Sequence, residues 1–212
     1  MDKSKSLDEL KTKMRADTTL PLRNVATNLV FGDGNPDSEI LFIGEGPGYW
    51  EDVKGIPFVG NAGALLNQLL AKIGIQRKDV YITNIIHYRA PENRDPEPSE
   101  IKAFGKYLDE IIKIINPKII ITLGRFSMAK FLPGVFISST HGKEKIVEWE
   151  GKPLLVIPMY HPAAALRNTE VKLKLIDDFE KIPKLLQNIK EKGDRIQEDQ
   201  AQTNSVKQLN LV

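Results

Sequence analysis

Three stretches of the chain hold residues able to act on a ligand, and each follows an apolar run. The densest is Gly44–Gly63, GEGPGYWEDVKGIPFVGNAG, with six glycines and two prolines. Glycine in that number lets backbone N–H groups approach a ligand and hold an anion. An ordinary strand-to-helix loop has the same composition. The run matches neither the dinucleotide-binding GxGxxG nor the phosphate-binding GxxxxGK[ST], so neither of those chemistries applies. Within it, Phe58 is either a core residue or a stacking platform for a planar ligand. Asn84, closing VYITN, offers a donor and an acceptor suited to the edge of a base or amide, although a lone Asn also caps turns. His161 opens HPAAALRN after LLVIPMY, and the Pro162 that follows keeps its backbone extended ahead of a helix or turn. Arg167 could reach a phosphate or simply solvate a surface.

The elements that must position these residues can be read from the apolar runs. Glu39–Gly44 (EILFIG), Val80–Ile86 (VYITNII) and Lys118–Leu123 (KIIITL) read as strands, two of them ending at a glycine. Ile146–Trp149 and Leu154–Pro158 read as two more around Glu150-Gly151. Between them, Asn61–Ile73, Ser99–Ile115 and Arg125–Phe131 carry helical spacing, and Val171–Ile189 reads as a closing helix. Continuous apolar strands alternating with helices indicate an α/β layer fold with a largely parallel central sheet. In such sheets ligands bind beyond the carboxyl ends of the strands. Gly44-Glu45, Asn84 and His161 should therefore converge on one face.

Composition narrows the chemistry. The chain has 212 residues, 30 Lys+Arg against 28 Asp+Glu, three histidines and no cysteine. That length fits one domain plus a tail. The absence of cysteine excludes disulfides, thiolate zinc sites, a Cys nucleophile and a cysteine-held iron–sulfur cluster. The balanced charge means that nucleic-acid binding would need a local basic face. No stretch approaches the roughly 20 apolar residues that span a bilayer, and MDKSKSLDEL does not read as a signal peptide. The expectation is a cytoplasmic monomer with no membrane partner.

Taken together, GEGPGYWED…GIPFVGNAG, VYITNIIHYRAPENRDPEP, IIITLG and MYHPAAALRN resemble the family 4 uracil-DNA glycosylases, in order and spacing. The resemblance covers roughly residues 30 to 186 and includes the upstream VFGDGNP. It implies a three-layer α/β/α fold. The implied activity is hydrolysis of the N-glycosidic bond of a flipped-out uracil in DNA, leaving an abasic site. By position, Phe58 would stack on uracil, Asn84 would bond its Watson–Crick edge, His161 would donate to O2, and the backbone of Gly44, Gly46 and Gly48 would line the other side. Leu166 and Arg167 would press into the DNA together with Gly48. Glu45 is the first candidate for activating water and Asp52 the second, because related families place an Asp where this chain has Gly46. Tyr49 or Trp50 is the candidate for excluding thymine at C5. Two other readings use the same residues: a non-catalytic binder of uracil or abasic DNA, and a glycosylase for another deaminated base.

The chain departs from the family at the four cysteines that usually bind a four-iron four-sulfur cluster. Those positions fall on Asp17, Leu20, Tyr88 and Phe104. The expectation is a cluster-free variant without a cofactor, in which the last three pack a hydrophobic plug. The KRRIH insertion of a covalently reacting relative is missing after the Asn motif, so His87 is not expected to be a nucleophile.

From about residue 191 the chain turns polar and aperiodic, the composition of a disordered tail. The domain is therefore placed at 1–190 and the tail at 191–212. The tail ends in QLNLV, which resembles the bacterial sliding-clamp motif QL[S/D]LF. Gln208, Leu209 and Leu211 are the candidate clamp-binding residues.

Overall fold

The computed structural model describes residues 2–189 and 191. Among them, six strands form one sheet: β1 (Asp33–Gly34), β2 (Ile40–Gly44), β3 (Tyr81–Asn84), β4 (Ile119–Leu123), β5 (Lys145–Trp149) and β6 (Lys152–Met159). Their order across the sheet is β1-β3-β2-β4-β6-β5. The four central strands run parallel, and the two edge strands are antiparallel to their neighbours. The helices are α1 (Lys3–Ala16), α2 (Tyr49–Lys54), α3 (Asn61–Lys72), α4 (Pro98–Ile115), α5 (Arg125–Ala129), α6 (Ile137–Thr140), α7 (Pro162–Arg167) and α8 (Thr169–Glu180).

Successive strand side chains point to opposite faces, and here both faces are covered. Leu41, Ile43, Tyr81 and Ile120 pack with Leu7 and Met14 of α1 and Phe104, Leu108 and Ile112 of α4. Ile40, Phe42, Ile82 and Ile121 face the other way, onto Leu66 and Leu70 of α3 and Leu175 and Phe179 of α8. This is the expected three-layer α/β/α arrangement. Burial of each such side chain contributes about 1.5–3 kcal/mol.

Local signals set the boundaries. Pro98 occupies the first turn of α4, and Glu97 and Glu100 form a reciprocal capping box ahead of it. Asn116 ends that helix in the left-handed region, with Pro117 next. Glu150 (φ 49°) and Gly151 (φ 77°) make the two-residue turn between β5 and β6, a pair of positive φ values that suits a tight hairpin.

Three differences from the sequence reading stand out. Helix α1 was not anticipated, because its buried stripe of Leu7, Leu10 and Met14 lies among lysines. Helix α2 forms inside the glycine-rich segment. The closing helix is α8 followed by helical residues 182–189, with a turn at Lys181 whose N–H bonds back to Asp178 O at 3.3 Å. No helix among the described residues is long and apolar enough to cross a membrane.

Candidate active site

Parallel strands place their carboxyl ends on one edge. Gly44 of β2 is in register with Asn84 of β3, and Leu123 of β4 with Met159 of β6. The chain beyond β2, β3 and β6 meets at a cavity of about 390 Å³, within the range of ordinary ligand pockets. Glu45, Gly46, Gly48, Phe58, His161 and Arg167 line it, as the sequence reading grouped them.

Gly44 and Asn84 adjoin Phe58 of the cavity wall without themselves lining the cavity. A Cβ on Gly44 would stand 2.5 Å from both Asn84 Oδ1 and the Phe58 ring, so only glycine lets these two side chains meet there. Asn84 is buried, and its Oδ1 has no hydrogen-bond partner among the described residues. Buried acceptors are nearly always satisfied, so an orphan beside the Phe58 ring of the pocket wall suits a ligand donor.

Phe58 holds a left-handed backbone (φ 54°), which is costly for an aromatic residue. Its neighbours enforce it. Arg77 donates to Pro57 O (2.6 Å) and Phe58 O (3.2 Å) and is itself anchored by Asp33 Oδ2. The buried Glu51 carboxylate accepts from Val59 N–H and Gly60 N–H, each at 2.8 Å. The Phe58 ring lies 5.6 Å from the His161 ring, tilted by 32°.

His161 caps the N-terminus of α7. Its Nδ1 accepts from Ala163 N–H at 3.1 Å, which leaves the ring proton on Nε2. Burial pulls its pKa down to about 4, with the Glu51 charge opposing and Arg167 assisting. At neutral pH it is therefore an uncharged donor. Gly124 makes room for it, since a Cβ there would come within 3.2 Å of His161 Cβ.

Glu45 is half-buried in the pocket wall. Burial, then the nearby Asp95, push its carboxyl above the usual range, with Arg125 opposing. Asp52 is elsewhere. Its carboxylate accepts from Thr27 N–H and Asn28 N–H (2.9 and 3.0 Å), pinning the segment before β1, and it does not line the pocket. Tyr49 and Trp50 likewise stand outside the lining and are largely exposed. Leu166 is exposed on α7 beside the lining Arg167.

The sequence reading gave no role to Glu51, within the glycine-rich segment, or to Arg77, outside the motifs; both shape the Phe58 turn. It also assigned nothing to Asn93, Arg94 and Asp95, which line the opposite wall. Their signal was the ENRDP stretch, quoted above without a role. His87 is fully buried between Phe31 and Phe104 and contacts Thr83 Oγ1 at 3.2 Å; burial lowers its pKa to about 3, and it does not line the pocket.

The family model of the uracil DNA glycosylase superfamily matches residues 31–187. The chain belongs to this superfamily. It is 44% identical over 186 residues to a type-4 uracil-DNA glycosylase of Archaeoglobus fulgidus, covering 85% of this chain and 93% of that one. A type-4 enzyme of Sulfurisphaera tokodaii is also 44% identical over 186 residues (85% and 84%). One of Thermotoga maritima is 45% identical over 166 residues (77% and 86%).

The family's iron–sulfur cluster does not fit the residues at its four positions. Asp17 Oδ2 is engaged by Lys106 Nζ (2.8 Å) and Tyr107 Oη (2.7 Å), and Oδ1 by Thr19. These bonds hold its carboxyl well below the usual range. Leu20, Tyr88 and Phe104 are buried in one hydrophobic cluster, with the two rings 6.1 Å apart. Among the described residues no group of His, Asp or Glu could hold a metal ion. The candidate clamp-binding residues Gln208, Leu209 and Leu211 lie outside the described residues.

Proposed function

We propose that the chain excises uracil from DNA by hydrolysing the N-glycosidic bond and leaving an abasic site. The observation that carries this reading is the joint geometry of a Phe58 ring held by a strained backbone, an orphaned Asn84 Oδ1 and a neutral His161 whose Nε2–H is its free donor. Uracil offers a planar face, an N3–H donor and two carbonyl acceptors, and the three groups answer these in turn. Phe58 stacks on the ring. Asn84 Oδ1 accepts from N3–H while its amide nitrogen donates to O4.

Cleavage of the C1′–N1 bond leaves its electron pair on uracil and an oxocarbenium-like sugar. His161 Nε2–H, donating to O2, stabilises the negative charge as it forms, and a neutral donor already in place is effective for that. Glu45 in the wall orients a water molecule, whose oxygen bonds to C1′. The proton that this water loses passes to the carboxylate and is then released to solvent, from which the uracil anion takes up a proton at N1. A raised carboxyl pKa makes Glu45 a better proton acceptor once it is ionised.

Flipping the base costs about a few kcal/mol of stacking and pairing, which the closed pocket must recover. Gly48, Leu166 and Arg167 at the rim are the proposed DNA contacts. The clamp reading of the chain's last residues rests on its likeness to QL[S/D]LF alone.

Purified protein incubated with strands carrying one uracil, then treated with alkali, tests the proposal. Cleavage at uracil and not at thymine is the expected result. Binding without cleavage would favour a reader of uracil DNA instead.

A further inference from the structure

Helix α2, which follows the glycine loop, carries an aromatic face that the excision reading leaves unused. Tyr49 and Trp50 are 54% and 55% exposed and meet edge to face with centroids 5.1 Å apart. Val53 and Ile56 are exposed close by in sequence. Apolar side chains of this size are usually covered, so a cluster of them marks an interaction surface. This one borders the pocket. Gly48 just before it and Glu51 just after it both line the cavity.

A cation completes the surface. The Arg89 guanidinium lies 5.3 Å from the centre of the Tyr49 ring and donates through Nε to Asn93 Oδ1 at 2.8 Å; Asn93 is itself in the cavity wall. Two other arginines of this wall region are neutralised, Arg94 by Glu100 and Arg125 by Asp95. Arg89 and the lining Arg167 have no carboxylate partner among the described residues. The half-exposed Trp50 ring next to unneutralised cations matches the two repeating features of a nucleic-acid strand, flat bases and phosphates.

We propose that the Trp50 ring, held edge to face by Tyr49, is a stacking platform for an unpaired nucleobase next to the flipped-out uracil, with Arg89 holding its phosphate. The proposal rests on the excision reading and adds a preference: the platform engages single-stranded DNA. In a duplex the neighbouring bases stay stacked on each other and are closed to these rings. In a single strand every base has a free face, and stacking on protein aromatics tolerates any sequence.

The probe is a DNA strand carrying an abasic analogue in place of uracil, free or annealed to its complement. The double variant Tyr49→Ala/Trp50→Ala should weaken single-strand binding by about tenfold or more and duplex binding far less. Trp50 also reports directly. Trp149 is the second of the chain's two tryptophans, so Trp149→Phe leaves Trp50 as the only indole emitter, and its fluorescence should be quenched by the single strand. Arg89→Gln should flatten the salt dependence of binding, whereas Trp50→Ala should not.

Equal single-strand affinity in the double variant, or bound strand without quenching, would overturn the platform. So would self-association of the protein that the double variant abolishes, which would assign the face to a second copy of the chain. Uracil release by the wild type is measured alongside. Release with unchanged affinities sinks only the platform. Quenching without release sinks the excision reading and leaves the platform standing.

Discussion

Two regions joined by the same strand obey opposite rules. Asn84 closes β3 and stands beside Phe58 of the pocket wall; four residues on, Tyr88 enters the plug, at a position where the family resemblance implies an iron ligand. In the pocket the chain leaves things unfinished. Asn84 Oδ1 has no partner, Phe58 is held at φ 54°, and His161 keeps one ring nitrogen uncommitted to protein. In the plug the four replacing side chains are all engaged. Asp17 accepts from three side chains, and Leu20, Tyr88 and Phe104 are buried together. Unsatisfied polar atoms and strained backbone persist where a ligand completes them, and packed hydrophobes serve where only stability is required.

The comparison predicts a clean separation of variants. Phe104→Ala should cost about 3–5 kcal/mol of stability in denaturant unfolding, while each folded molecule releases uracil at the normal rate. A rate loss in the folded fraction would show that the plug acts on the pocket. His161→Ala should do the reverse, lowering single-turnover uracil release about 10²–10³-fold with DNA affinity little changed. Equal losses in both quantities would make His161 a binding residue only.

Arg77 tests whether the strain at Phe58 is maintained from outside. Arg77→Ala removes the donors to Pro57 O and Phe58 O and should weaken binding of free uracil about tenfold. Arg77→Lys should not rescue it, because an ammonium cannot reproduce the forked contact to two carbonyls and Asp33. Rescue by lysine would reduce Arg77 to a charge.

The smallest effect is on pH dependence. His87 and His161 are held neutral by burial, with pKa values near 3 and 4 against 6.5 when exposed. As pH falls below 6.5 the unfolded chain takes up protons that the folded chain refuses. Stability contributed by this pair is therefore full above 6.5 and declines as pH drops towards 4 and then 3. Thermal midpoints measured over that window should fall, and His87→Gln should blunt the fall. Uracil release should have its acid limb where Glu45 becomes protonated, above the usual carboxylate range, and His161 becomes charged only at lower pH, near 4.

Much of this was legible in the chain itself. The strands β2 and β4 are unbroken apolar runs because both of their faces are buried, and that made the parallel layer readable. Glycine after a strand pointed to the ligand edge. What stayed hidden depends on contacts distant in sequence. Asp52 looks like a second carboxylate of the site, yet it folds back onto the amides of Thr27 and Asn28. Arg77 carries no motif, and its role exists only because Pro57 and Phe58 turn towards it. Tyr49 and Trp50 follow the glycines directly, but α2 turns their side chains outward.

The most direct test of the account is single-turnover uracil release by protein purified and assayed in chelator, with its iron content measured on the same sample. The account predicts full release from uracil-containing strands, none from thymine, and no stoichiometric iron. Release that appears only in iron-loaded protein, or binding without release at any iron content, would contradict it.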